Sequence, residues 1–260
     1  MIKKVFVLSN PKIKGIEKER AKIEGMLKNY GVSLEKTPDN ADLILTMGGD
    51  GTFLKGIHLT NNPRTFVCGI KYGKVGFLTY SVQNIEENLK KILTGKVKTS
   101  KRILLEVIVK KEGKTIREFC FNEMVVFRKG VRIIDVTVSS QKEEIFGKLR
   151  CDGLIVSTPT GSTAHSFSAA GPVVSPDTEC LLIVPVAPHS LCWRPVVVSS
   201  KEQVAVKVSP EALIVIDGQR EIEIGASDNV IVKKSTKKVN IIMDDDGFFD
   251  RLKSKFHWGS

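Results

Sequence analysis

The sequence predicts an α/β plus β-rich fold, an α/β N-terminal domain joined to an antiparallel β-rich one, and three observations carry that prediction. Across residues 1–96, short apolar runs alternate with stretches of helical spacing, which implies a mostly parallel sheet covered on both faces. From 97 to 239, strand-like runs follow one another with little helical pattern, as half-buried antiparallel sheet requires. In the tail, 240–260, Phe248, Phe249, Leu252 and Phe256 have helical spacing, and such a helix buries its aromatic face only by docking on another element.

Each element follows from its residues. Val5-Phe6-Val7-Leu8 is a buried-strand run ended by Ser9-Asn10-Pro11. Ile16, Ile23, Leu27 and Tyr30 form one helical stripe, with Gly31 as its stop. Residues 32–35 and 43–47 are the next strands, Phe53, Leu54 and Ile57 mark a helix, and 66–70 is another strand. Ile85, Leu89, Ile92 and Leu93 belong to a further helix closed by Gly95, and the character of the chain changes near Lys96. Strands are then expected at 103–109, 119–127, 133–138, 154–157, 181–186 and 196–198. Val204, Val206 and Val208 alternate with Ala205 and Lys207, and Glu221-Ile222-Glu223-Ile224 alternates strictly.

Composition narrows the partners. The formal charge of +11, from 40 basic against 29 acidic side chains, suits nucleotides, polyphosphate or nucleic acid. The lysines are spread and not gathered in a tract, so a solvated Lys/Glu surface explains much of the excess equally well. Cys68, Cys120, Cys151, Cys180 and Cys192 are far apart, with no Cys-x-x-Cys pair, and read as buried free thiols of a reducing compartment. The apolar run at 5–8 is too short for a signal peptide and no later run could span a bilayer, so the expected location is cytoplasmic.

Two stretches carry chemistry. In Leu43-Ile44-Leu45-Thr46-Met47-Gly48-Gly49-Asp50-Gly51-Thr52, a strand stops at three glycines around one carboxylate, and a helix follows. Helix starts at strand ends attract phosphate, and glycines at 48, 49 and 51 remove side chains that would block the approach. The alternative is a tight turn capped by Asp50 and Thr52. An acid beside a phosphate cradle is unfavourable unless it handles a proton or a metal. Neither the Walker A nor the dinucleotide glycine pattern occurs in the chain. In Asp152-Gly153-Leu154-Ile155-Val156-Ser157-Thr158-Pro159-Thr160-Gly161-Ser162-Thr163-Ala164, hydroxyls crowd a loop before a short helix at 164–170. Such hydroxyls either donate to ribose, phosphate or amide groups of a ligand or belong to a Ser/Thr-rich turn.

Gly48-Gly49-Asp50-Gly51-Thr52 resembles the signature of NAD kinases, diacylglycerol and sphingosine kinases and, more loosely, 6-phosphofructokinases. The longer stretch, with Ser166-Phe167-Ser168-Ala169-Ala170-Gly171-Pro172 after it, resembles the second motif of NAD kinases alone. Phe121-Asn122-Glu123, Pro188-His189-Ser190 with Arg194-Pro195, Asp217-Gly218-Gln219 and the ending Gly247-Phe248-Phe249-Asp250-Arg251-Leu252 are similar to further landmarks of that family, in order along most of the chain.

The resemblance implies a Rossmann-like N-terminal domain, a β-rich NAD-binding domain at 97–239, and a tail at 240–260 that returns to the first. It implies phosphoryl transfer from ATP or polyphosphate to the 2'-hydroxyl of the adenosine ribose of NAD, giving NADP, with Asp50 as the base. Gly48, Gly49, Gly51, Thr52 and Phe77 would line the cleft, Asn122 and Glu123 would bond the substrate, and Asp152 would sit near the nicotinamide ribose. Thr163, Ala164 and Ser168 would surround the adenine or nicotinamide end, with Gln219 also at the ligand. Two positions depart from the pattern: His165 stands where the family has a stacking tyrosine, and Ala170 where it has a glycine. No His/Cys/Asp/Glu spacing supports a protein-held metal, so Mg2+ is expected on the nucleotide. A homodimer or homotetramer is expected, with neither membrane nor nucleic acid as partner.

A lipid kinase shares the Asp50 turn but leaves 152–172 unexplained. A non-catalytic dinucleotide- or nucleic-acid-binding protein fits the charge, but gives Asp50 no task and lacks an aromatic-rich basic strand for base stacking.

Overall fold

The computed structural model describes residues 2–60, 62–72, 77–80, 83–141, 143–190, 192–244 and 247–258. They form two units, 1–101 with 238–260, and 102–237. The first of these boundaries lies five residues past Lys96, where the sequence pattern changes.

The first unit holds strands β1 (Lys4–Ser9), β2 (Ser33–Leu34), β3 (Leu43–Gly48), β4 (Phe66–Lys71) and β5 (Thr79–Tyr80), with helices α1 (Ile16–Asn29), α2 (Asp50–His58) and α3 (Ile85–Thr94). The second is built on β6 (Lys98–Lys111), β7 (Lys114–Cys120), β8 (Glu123–Arg128), β9 (Ile134–Ser139), β10 (Glu144–Cys151) and β11 (Gly153–Ser157). The one-turn α4 (His165–Ser168) follows, then β12 (Cys180–Val186), β13 (Val196–Ser199), β14 (Gln203–Ser209), β15 (Glu211–Ile216) and β16 (Arg220–Gly225). The unit boundaries fall inside β6 and β17 (Asn229–Met243), and α5 (Phe248–Phe256) belongs to the first unit.

In the first unit, β2, β1, β3 and β4 pair in that order, all parallel. Asn240 and Ile241 of β17 add parallel to Phe66 and Val67, and Thr79 of β5 pairs with Gly69. Because helices cover both faces, β3 is buried at every position, which is why it reads as an unbroken apolar run. The α1 stripe buries Ile16, Ile23 and Leu27, whereas Tyr30 caps the helix and is 40% exposed. Helix α3 has Glu86 and Glu87 in its first turn, Lys91 in its last and Gly95 left-handed at its end, as the helix dipole and C-terminal geometry favour.

The second unit packs a six-stranded antiparallel sheet, β13-β12-β11-β8-β15-β16, over an antiparallel ladder, β10-β9-β14-β17. Met124, Val126, Leu154 and Val156 of the first share one core with Val136, Val138, Val204 and Val206 of the second. Val125, Ile155, Leu182 and Val184, on the other face, form a smaller cluster, so β8 and β11 are buried on both sides.

Two expectations need correction, and one strand lies outside them. The run at 119–127 is two strands and not one: β7 ends at Cys120, β8 begins at Glu123, and the break falls on Phe121 and Asn122. Strand β10 has no counterpart in the sequence reading because register shifts between Glu144 and Leu149 destroy its alternation. Cys68, Cys120, Cys151 and Cys180 are buried free thiols, but Cys192 is exposed, in the segment between β12 and β13. Among the described residues no helix is long and apolar enough to cross a membrane.

Candidate active site

Most of the residues singled out from the sequence fall into two clusters, one in each unit, but Asp152 lies apart, beside Arg128 at the opposite end of β8 and β11 from Glu123 and Ser157. In the first unit, the buried strand β3 delivers the chain to Gly48, and α2 opens at Asp50. A Cβ on Gly48 would lie 2.3 Å from Thr52 Oγ1, so the buried Thr52 packs onto glycine and nothing larger fits. Beta carbons on Gly49 or Gly51 would meet nothing within 4 Å. Capping does not explain Asp50, because the N-cap is Gly49 and no side chain caps the helix. Its carboxylate instead accepts the Phe77 N–H at 2.8 Å and the Leu78 N–H at 3.2 Å, and among the described residues no other hydrogen bond takes up its remaining lone-pair sites.

The Phe77 ring packs edge-on against Phe248 at 6.1 Å and stacks on Phe256 at 6.0 Å, with the Arg251 guanidinium 5.8 Å from its centroid. Arg251 is itself paired with Asp244 at 2.7 Å. Phe249, which the helical spacing puts on the same aromatic face, is 66% exposed. Cations gather here. Lys71 pairs in register with Gly48, and Lys255 precedes the stacked Phe256. Burial, and then repulsion from Lys71, lowers the Lys255 pKa, against the opposing pull of Asp50 and Asp244.

In the second unit, the break between β7 and β8 is held from across the sequence. The buried Asp217 carboxylate accepts the Phe121 N–H at 2.7 Å, the Asn122 N–H at 2.8 Å and the Glu123 N–H at 3.0 Å. Its own N–H donates to the Glu123 carbonyl at 3.1 Å. The Asn122 carbonyl in turn accepts the Thr158 N–H at 2.8 Å and the Ser157 hydroxyl at 3.1 Å. Thr158 Oγ1 donates to the Phe121 carbonyl at 2.7 Å and accepts the Gly161 N–H at 3.1 Å. A Cβ on Gly161 would sit 2.3 Å from the Asn122 carbonyl oxygen, so this approach also needs glycine.

The hydroxyls therefore divide. Ser157 and Thr158 are engaged in the loop itself, as is Ser162, whose hydroxyl is 3.1 Å from both the carbonyl and the N–H of Val174. Thr163 and Ala164 are half-buried, and His165 and Ser168 of α4 are exposed. Ala170 has φ 59, a left-handed backbone that glycine adopts without strain.

Glu123 is buried beside Asp217, and one of its oxygens, Oε2, has no hydrogen-bond partner among the described residues. Burial, then the Asp217 charge, pushes its pKa up to about 8, although the His165 backbone N–H bond works the other way. A carboxyl so placed is a hydrogen-bond donor at neutral pH. Asp152 is half-buried and paired with Arg128 Nε at 2.7 Å, and the Arg128 N–H donates to the Asp152 carbonyl at 3.0 Å. Gln219 is half-buried, its N–H on the Ile216 carbonyl at 2.8 Å. Arg128 was not signalled in the sequence. Asp217 was visible there only as a landmark, with no hint that it reaches Asn122.

Two family models match the chain: the ATP-NAD kinase N-terminal domain over residues 3–97 and the ATP-NAD kinase C-terminal domain over 121–243. The chain is 38% identical to an NAD kinase of Methanothermobacter thermautotrophicus, over 88% of this chain and 80% of that one. It is 33% identical to an NAD kinase of Sulfurimonas denitrificans, over 100% and 98%. Among solved structures, an NAD kinase from Archaeoglobus fulgidus in complex with ATP matches with TM-score 0.80 and 30% identity, over 98% of this chain and 97% of that one. The yeast NADH kinase complexed with NADH matches with TM-score 0.88 over 100% and 89%; at 21% identity that likeness shows the fold.

Proposed function

The chain belongs to the NAD kinase family and is a phosphotransferase acting on NAD, and from that premise we propose how its residues divide the work. Asp50 is the general base. It takes the proton of the adenosine 2'-hydroxyl as that oxygen bonds to the transferred phosphorus, while the donor's bridging P–O bond breaks and the shortened donor leaves. The observation behind this assignment is the Asp50 carboxylate at the start of α2, held by two backbone N–H groups and not engaged in capping the helix.

Phosphoryl transfer depends on positioning and charge stabilisation more than on covalent chemistry. Gly48, Gly49, Gly51 and Thr52 shape the turn that receives the donor, and Lys71 and Lys255 meet its phosphates. Asn122 and Glu123 bond the dinucleotide and Thr163, Ala164, His165, Ser168 and Gln219 complete that subsite, Asp152 meets the nicotinamide ribose from the other end of β11, and Phe77 stands beside Asp50. The donor is ATP, as the ATP complex of the Archaeoglobus relative suggests, and the acceptor NAD. Mg2+ enters on the donor phosphates. We also assign the protein to the cytoplasm and to a homodimer or homotetramer.

The deciding experiment incubates purified protein with Mg2+, with ATP or polyphosphate, and with NAD or NADH, and measures NADP(H). Diacylglycerol and sphingosine serve as control acceptors. NADP from ATP supports the assignment, and lipid phosphorylation without NADP would reverse it.

A further inference from the structure

We infer that α5 is a positioning element for Asp50 and acts through Phe77, an inference that rests on Asp50 being the base. Both hydrogen bonds described for the carboxylate come from main chain, at 2.8 Å from Phe77 and 3.2 Å from Leu78. The base therefore stands where residues 77 and 78 stand.

The chain end holds those residues. Phe256 stacks on the Phe77 ring with 26° between the planes, Phe248 meets its edge, and the Arg251 guanidinium lies 5.8 Å from its centroid. Arg251 is buried and fixed by Asp244 at 2.7 Å, and Leu252, 1% exposed, anchors the helix. Three residues after Phe77, the Tyr80 hydroxyl donates to the Met243 carbonyl at the end of β17. The 77–80 segment is thus tied to the chain end through both its first ring and its last hydroxyl.

A helix that merely packed would contribute stability. One that sets the base contributes to turnover, because a catalytic group misplaced by about 1 Å can cost about 10²-fold. Phe256→Leu keeps apolar bulk but removes the ring stack, and Phe256→Tyr keeps the ring.

The test measures steady-state kinetics for both variants, alone and in an Asp50→Asn background. We expect Phe256→Leu to lower kcat by about tenfold or more with both KM values nearly unchanged, Phe256→Tyr to retain wild-type kcat, and Phe256→Leu to cost nothing further once Asp50 is Asn. The inference is overturned if Phe256→Leu leaves kcat within about twofold of wild type, shifts only KM, or costs the same factor in the Asp50→Asn background. Should Phe256→Leu fail to fold, Phe248→Leu is read by the same criteria. Asp50→Asn alone tests the base assignment, so failure of that assignment is seen separately from failure of the role given to α5.

Discussion

Asp217→Asn tests how the dinucleotide subsite is built. In the native protein one carboxylate oxygen accepts the Phe121 N–H at 2.7 Å and the other the Asn122 and Glu123 N–H groups at 2.8 and 3.0 Å. An asparagine oxygen keeps at best the latter two, as neutral bonds each worth ~1 kcal/mol less than their charged counterparts. Its amide nitrogen then faces the Phe121 N–H donor to donor, and an unsatisfied buried N–H costs ~1–3 kcal/mol. Against these losses, the substitution removes one buried charge, and with it part of what keeps Glu123 protonated. The net loss should be about 2–4 kcal/mol, a fall in Tm on the order of 10 °C for a chain of this size. Asn122 and Glu123 lose their register together, so KM for NAD should rise by about tenfold or more, with kcat changed much less. Differential scanning calorimetry and NADP formation at varied NAD measure the two effects. A Tm within about 1 °C of wild type, together with an unchanged KM for NAD, would refute the reasoning.

Four other substitutions probe separate parts of the structure. Asp50→Asn should lower kcat by roughly 10²–10⁴-fold while NAD still binds by calorimetry. Turnover within about tenfold of wild type would make Asp50 a turn residue only. The upward shift of Glu123 means that its contribution to stability is complete below its ordinary 4.5 and is lost as pH rises through about 8. Urea denaturation at pH 5, 7 and 9 should show wild type losing stability across that window and Glu123→Gln staying flatter; parallel curves would exclude the shift. Lys255→Met should raise KM for the phosphoryl donor by about tenfold and leave KM for NAD unchanged, because a charge-assisted contact to phosphate is lost. Ala170→Gly should raise stability by about 0.5–1 kcal/mol, since relief of left-handed strain outweighs the greater entropy of glycine in the unfolded chain. An unchanged or lowered denaturation midpoint for this variant would mean that φ 59 at Ala170 carries no strain.

Local order was legible in the sequence because it depends on neighbours within about one helical turn. The unbroken apolar run of β3 required a strand buried on both faces, and the stripe Ile85, Leu89, Ile92, Leu93 with Gly95 behind it required α3. The glycines around Asp50 and the crowded hydroxyls after Asp152 pointed to the two clusters that the structure places in separate units.

What each residue does was decided only by tertiary structure, since its partners are remote in the chain. Asp217 reaches Phe121 across 96 positions, Asp50 is held from 27 positions away, and the ring beneath Phe77 comes from the last helix. The apolar run at 119–127 gave no sign of its break, because the carboxylate that stabilises the interruption lies on another strand connection. For Ser157, Thr158 and Ser162 the sequence left ligand donation and a Ser/Thr-rich turn both open, and the fold decides for the turn, because backbone carbonyls of Asn122, Phe121 and Val174 occupy their hydroxyls. Side-chain type and spacing determine which groups are available, whereas the fold determines which remain free for a ligand, because a hydrogen bond satisfied within the protein is withdrawn from every other partner.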